Sequence, residues 1–381
     1  MVVLAAATRT LMTQIERSLA IAGYPVTHAA DSTEDAVHWL QVDDPFGSVT
    51  ATIIVLDEDL SDGRALDLCQ RIKRTDRFLD TPLIVVGSGE EQAIREALES
   101  GASDYTLADA IEMDLPLRCR CAMLRAERIG RRRAGERRRL EELALARRLQ
   151  HSVLSPPVSS SHIEISAAYI PSDELSGDMY YWSQIDEDRY GILLLDVMGH
   201  GLSSALISMA LRSLMPDLIT RFVDPVQVIT ELNRQMSLYQ PTYLTALYVV
   251  INTRLGTLEW ANAGHPPGLL LDGNQQVLAL DRTTLPLGLE ESPKVERRSL
   301  AYHRPARLLL YTDGLVEDRG YTIRAGIEHL KNCLRLYRLQ STAALVDVTI
   351  LERRKILAAP DDICLIAVTL PATAPVDPVI T

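Results

Sequence analysis

Apolar runs alternate with helix-spaced apolar positions over the first 120 residues of the chain. Val2–Ala7, Thr52–Leu56 and Leu83–Val86 read as buried strands, and Leu11–Ala22, Ala65–Ile72 and Ala93–Leu98 as amphipathic helices between them. That order predicts an α/β doubly wound parallel sheet. From about Arg118 the strand pattern stops. An Arg, Glu, Ala and Leu-rich helix is expected as far as about Val153, where Ser155-Pro156-Pro157 ends it. Its apolar positions Leu140, Leu143, Ala146, Leu149 and Val153 keep helical spacing for only about two heptads, which makes the helix a connector and a candidate element for a homodimer. After Ser161 strands and turns take over: Ile163–Tyr169, Tyr190–Val197, Thr245–Asn252, Gly256–Asn262, Gly268–Leu271, Arg307–Tyr311 and Ile363–Leu370. Helical stretches at Leu202–Ile219 and Pro225–Met236 interrupt them, which predicts an α+β domain of mostly antiparallel strands with helices packed on the sheets. Pro371, Pro375 and Pro378 predict a disordered tail. The expected organisation is multidomain: 1–117, a helical linker 118–154, 155–370, and the tail 371–381.

Composition narrows the class. Hydrophobic residues make up 47% and charged residues 24% of the 381, which fits packed globular domains. No uncharged apolar run reaches the roughly 18 residues of a membrane span, and the first residues lack the basic start of a signal peptide. A cytoplasmic chain without a membrane partner is expected. Five cysteines without a Cys-x-x-Cys pair argue against a disulfide framework and a structural zinc site. The net charge is −12, yet Arg118 to Gln150 carries twelve Arg against four Glu, a local +8 that leaves −20 elsewhere. Without interleaved aromatic residues this belt reads as a solvated helix face and not as a nucleic-acid site.

Four carboxylates carry the candidate chemistry. Asp178, Asp196, Asp313 and Asp361 each interrupt or cap an apolar run, where a lone carboxylate is costly to bury. A shared divalent cation removes that cost, and oxygen ligands suit Mg²⁺ or Mn²⁺. Gly177, Gly199, Gly201 and Gly314 beside them allow the backbone to approach an ion or a phosphate.

The segments S-G-D-M-Y-Y (176–181), D-V-M-G-H-G (196–201), A-N-A-G-H-P-P (261–267), L-P-L-G-L (285–289), Y-T-D-G-L-V-E (311–317) and D-D-I-C-L-I-A-V (361–368) occur in the order found in bacterial SpoIIE-like serine phosphatases. The region 155–370 resembles that family, a branch of the metal-dependent PPM-type protein phosphatases. The resemblance implies a β-sandwich flanked by helices and a site for two divalent cations, Mn²⁺ or Mg²⁺. By motif position Asp196 and the Val197 carbonyl would bridge the ions, with Asp178, Asp313 and Asp361 completing the shell; Asp178 and Asp196 would be catalytic. His200 is a candidate general acid for the leaving serine oxygen or else a locally bonded residue. His265, followed by Pro266-Pro267, reads as a turn residue. The family usually has Gly where Ser176 stands and Thr where Cys364 stands, but no expected ligand is missing. The implied substrate is a phosphoserine or phosphothreonine on an anti-sigma factor antagonist in a partner-switching circuit. The rival reading is an inactive scaffold that sequesters a regulator.

Residues 1–120 resemble a response-regulator receiver domain. Ile53-Ile54-Val55-Leu56-Asp57, Thr81-Pro82-Leu83-Ile84-Val85-Val86 and Gly101-Ala102-Ser103-Asp104-Tyr105 carry the likeness, which makes Asp57 the candidate phosphoacceptor. Ala5-Ala6-Ala7 stands where receivers place their acidic pair, Gly87 at the switch Ser/Thr position, and Ala108 where the Lys belongs. Without that metal site and Lys, phosphoryl transfer loses most of its electrostatic support. A degenerate receiver is expected, acting as a docking or dimerisation module, with a docking protein or an upstream histidine kinase as its partner.

Overall fold

The computed structural model describes residues 3–41, 52–60, 65–317, 322–356 and 361–372. The chain divides into two compact units, 1–140 and 141–381. The tail beyond residue 372 and the loop that follows Leu60 as far as Gly63 lie outside the described residues.

In the first unit, strands β1 (Val3–Ala6), β2 (His28–Ala30), β3 (Ile53–Asp57), β4 (Leu83–Gly87) and β5 (Asp104–Leu107) form a parallel sheet in the order β2-β1-β3-β4-β5. Helices α1 (Arg9–Ile21), α2 (Thr33–Leu40), α3 (Ala65–Arg74) and α4 (Glu91–Glu99) separate them. The sheet is buried on both faces, which is why β3 and β4 read as continuous apolar runs. Ile54, Leu56, Leu83 and Val85 pack with Leu68 and Ile72 of α3 on one side. Ile53, Val55, Ile84 and Val86 pack with Ile15 and Leu19 of α1 on the other. Helix α5 spans Ile111–Ser152 and so begins earlier than the linker pattern suggested. Leu115, Cys119 and Ala122 on its first turns belong to that second core, and Pro116 so near the start forfeits only one backbone bond.

The second unit is a sandwich. One antiparallel sheet holds β8 (Asp178–Gln184), β9 (Arg189–Val197), β10 (Leu244–Asn252), β11 (Thr257–Ala263) and β14 (Arg298–Ala301), in the order β14-β11-β10-β9-β8. The other holds β6 (Val158–Ser159), β7 (Glu164–Ile170), β12 (Gly268–Leu271), β13 (Val277–Leu280), β15 (Ala306–Tyr311) and β16 (Ile363–Leu370), in the order β13-β12-β15-β16-β7-β6. Period-two alternation divides each strand between two cores. Ile192 and Leu194 of β9 face the inner core with Leu308, Leu310, Ile366 and Val368. Their neighbours Leu193 and Leu195 face α6 (Leu202–Phe222) and α7 (Pro225–Met236) through Leu211, Met215, Val228 and Leu232. On the far side Leu309 and Leu365 meet α8 (Ile323–Leu336) and α9 (Thr342–Ile356) through Leu330, Leu334 and Leu345. The expected sandwich flanked by helices is present.

Two helices illustrate how local chemistry and packing share the work. α7 begins where the sequence placed it: the Asp224 side chain accepts from the Val226 N–H at 3.0 Å and Pro225 occupies the first turn. α6 is long and apolar enough to cross a membrane by length and composition, but Leu211, Met215, Leu218 and Ile219 line a core of the sandwich.

Candidate active site

Strand pairing brings the first two carboxylates together. β8 and β9 place Asp178 directly opposite Asp196. Asp178 is buried, and one of its carboxyl oxygens, Oδ2, accepts from the Thr312 hydroxyl at 2.7 Å. Its N–H donates to Ser176 Oγ at 3.0 Å and its carbonyl accepts from Tyr169 Oη at 3.1 Å. Thr312 is itself fixed to the second sheet, since its hydroxyl also accepts from the Cys364 N–H at 2.8 Å. Asp313 follows it and opens the single turn Asp313–Leu315. Asp361 and Asp362 precede β16, and they differ: Asp361 is exposed, whereas Asp362 is buried and serves the backbone. Asp362 accepts from the Ser172 N–H (2.7 Å) and hydroxyl (2.8 Å) and from the Gly177 N–H (2.9 Å). Thr312 and Asp362 were not singled out from sequence; their places beside Asp313 and Asp361 are the only local signal.

Electrostatics shows that the four predicted carboxylates act on one another. Burial, then the charge of Asp196, holds Asp178 well above the usual carboxylate range. Burial, then Asp313 and Asp361, pushes Asp196 up to about 7. Burial and Asp361 push Asp313 up to about 6. Asp178 and Asp196 face each other across β8 and β9, and burial with like charge favours the protonated form of each carboxyl.

Among the described residues no three His, Cys, Asp or Glu side chains form a ready-made cage for an ion. The donor set nonetheless suits a hard cation: carboxylate and carbonyl oxygens only, with like charges that a divalent ion would relieve. The backbone is cut close around it. A Cβ on Gly177 would lie 2.9 Å from the Val197 carbonyl oxygen, and one on Gly314 would lie 2.1 Å from the Asp362 carbonyl oxygen. Gly314→Ala is therefore expected to cost about 1–3 kcal/mol through forced backbone movement, measured as a lower melting temperature. An unchanged melting temperature would show that the turn has room.

The histidines separate cleanly. His200 is exposed, between Gly199 and Gly201 at φ 89° and 87°, and its ring has no hydrogen-bond partner among the described residues. It is free for exchange with a ligand. His265 is buried, with its ring Nδ1 2.7 Å from the Thr245 hydroxyl and its backbone N–H donating to Asn262 Oδ1 at 2.8 Å. Burial pushes its pKa down to about 3, so it is a neutral brace between strand ends, as the turn reading expected.

In the first unit Asp57 ends β3 and is only 3% exposed. Its Oδ2 accepts from the Thr8 N–H and hydroxyl, both at 2.9 Å, and its Oδ1 from the Asp59 N–H at 3.0 Å. Neutral donors satisfy it. Glu58 is engaged elsewhere, accepting from the Ser88 N–H at 3.2 Å and from the Tyr105 hydroxyl. A Cβ on residue 87 would lie 1.6 Å from Glu58 Oε2, so the glycine at the expected switch position is what admits that carboxylate.

Residues 186–371 match the family profile of stage II sporulation protein E (SpoIIE). The chain is 44% identical to the phosphoserine phosphatase RsbP of Bacillus subtilis over 182 residues, 46% of this chain and 45% of that one. It is 25% identical to the phosphoserine phosphatase RsbU of the same organism over 196 residues, 50% of this chain and 58% of that one. The chain thus spans about half the length of the curated relatives it matches. Among solved structures, the SiaA-PP2C domain of Pseudomonas aeruginosa shares the fold, with a TM-score of 0.53 at 20% identity over 61% of this chain and 98% of that one. The paired carboxylates thus stand in a unit that is similar over residues 186–371 to the SpoIIE family and to two phosphoserine phosphatases, and that shares its fold with a PP2C domain.

Proposed function

We propose that the chain is a cytoplasmic, metal-dependent protein serine/threonine phosphatase acting on an anti-sigma factor antagonist type of phosphoprotein in a partner-switching pathway. The observation that carries this reading is the pairing of Asp178 with Asp196 across β8 and β9, with the charges of Asp313 and Asp361 acting on the pair. The likeness to two phosphoserine phosphatases supports the substrate class.

Asp178, Asp196 with the Val197 carbonyl, Asp313 and Asp361 would hold two divalent cations, Mn²⁺ or Mg²⁺. When bound, such ions bring the pKa of water towards neutrality and offset the charge of phosphoryl oxygens. The protein's own groups do the rest. Thr312 fixes the rotamer of Asp178, and Asp362 fixes the Gly177 N–H behind it. His200, exposed and unbonded, donates a proton to the departing serine oxygen, a step open to an imidazole N–H that no group among the described residues holds.

The first unit supports a receiver-like reading through its strand order and the place of Asp57. Its role is regulatory docking or dimerisation, with a docking protein or histidine kinase as its partner. Because neutral donors already satisfy Asp57, acetyl phosphate with Mg²⁺ is expected to leave the intact mass unchanged. A gain of one phosphoryl group that is lost in Asp57→Ala would overturn the docking role.

The enzyme and scaffold readings part on one experiment. The full chain with Mn²⁺ is mixed with a phosphoserine-bearing antagonist protein, and that protein's mass is followed. Loss of the phosphoryl group is expected; a stable complex with the phosphoryl group intact would favour the scaffold.

A further inference from the structure

We infer that Gln150, in the last turn of α5, is a positioning residue for the acidic site, acting through the backbone that delivers Asp178. The inference rests on the metal-dependent reading above. Gln150 is 1% exposed. Its amide N–H₂ donates to the Ser176 carbonyl at 2.8 Å and its Oε1 accepts from the Ser176 N–H at 3.2 Å. A single side chain thus fixes the peptide planes on both sides of Ser176.

The next residue is Gly177, which cannot hold the direction of the chain by itself because glycine has the widest choice of φ and ψ. It cannot be replaced by a stiffer residue either, since a Cβ there would lie 2.9 Å from the Val197 carbonyl oxygen. The orientation of Asp178 must therefore be imposed from outside. Asp362 grips the Gly177 N–H at 2.9 Å from one side. Gln150 grips Ser176 from the other, helped by Ser208 of α6, whose hydroxyl donates to the same carbonyl at 3.3 Å. The two bonds go to the one residue that precedes the glycine, two positions before a predicted ligand. Groups that orient ligands in this way typically change metal affinity by about 10–100-fold when removed.

The test uses the full chain and two variants, Gln150→Met, which keeps the length and removes both bonds, and Gln150→Glu, which keeps the acceptor and removes the donor. Mn²⁺ binding is measured by calorimetry, with melting temperature and turnover recorded at saturating Mn²⁺. At least one folded variant is expected to bind Mn²⁺ about tenfold more weakly while its turnover at saturation stays within about twofold of the parent. Amide hydrogen exchange of the unaltered protein is read alongside, and the Ser176 amide is expected to exchange as slowly as the core of β9. Parent-like Mn²⁺ affinity in every folded variant would overturn the inference, as would fast exchange at Ser176 should neither variant fold. An unaltered protein that binds no Mn²⁺ would instead sink the metal-dependent reading itself.

Discussion

Asp196→Asn and Asp313→Asn are each expected to lower turnover about a thousandfold or more while the fold survives. Metal ions contribute several kcal/mol to stabilising a phosphoryl transition state, and each 1.4 kcal/mol is a factor of ten in rate. The amide keeps the volume of the carboxylate, so packing changes little. It removes one negative charge from a group whose members raise one another's pKa, so the metal-free variant should melt at or above the parent temperature. That pairing is diagnostic: a structural residue would lose stability with activity. Measuring turnover at saturating Mn²⁺ beside thermal unfolding in chelator checks it. Full turnover, or loss of the fold, would remove either residue from the site.

The second large effect concerns pH. In the metal-free protein Asp178, Asp196 and Asp313 all bind protons more tightly when folded than when unfolded, with Asp196 near 7 and Asp313 near 6. A carboxyl raised in this way contributes stability that is complete below its unfolded pKa of about 4 and is lost as the pH rises through its folded value. The metal-free protein should therefore be less stable at pH 8 than at pH 5, by on the order of 3 kcal/mol. The loss should fall mainly between pH 5.5 and 7.5, in the window set by the values for Asp313 and Asp196. Saturating Mn²⁺ should flatten the dependence, because the ion then offsets the charge that protons offset at low pH. Denaturant unfolding at several pH values, with and without Mn²⁺, measures this. A metal-free stability that rises towards pH 8 would contradict the electrostatic description of the site.

The four ligand candidates were legible because each stands at the edge of an apolar run, where one-dimensional pattern and three-dimensional cost coincide. β16 and the start of α7 were legible for similar reasons: a continuous run buried on both faces, and an Asp-Pro start. The groups that hold the ligands in place were not. Thr312 reaches Asp178 across 134 positions, Asp362 reaches Gly177 across 185, and Gln150 reaches Ser176 across 26. No periodicity records such pairs, because their meaning is created by the sandwich. β8 escaped for a related reason: Asp178–Gln184 is aromatic but bounded by polar residues, and its pairing with β9 decides its state. β2, three residues of His-Ala-Ala, has almost no strand propensity of its own and exists through pairing with β1. In α9, Arg353 is buried and donates to the Gly314 carbonyl at 2.6 Å, a charged residue in a core position that hides the helix's inner face from a hydrophobic reading.

Phosphate release by the full chain, stripped with chelator and then titrated with Mn²⁺, tests the central assignment most directly. The substrate is a phosphoserine-bearing antagonist protein, and Asp196→Asn runs in parallel. The expected result is no release from the stripped protein, saturable release as Mn²⁺ is restored, and none from the variant. Release that survives stripping, or a bound phosphoprotein left intact at every Mn²⁺ concentration, would contradict the assignment.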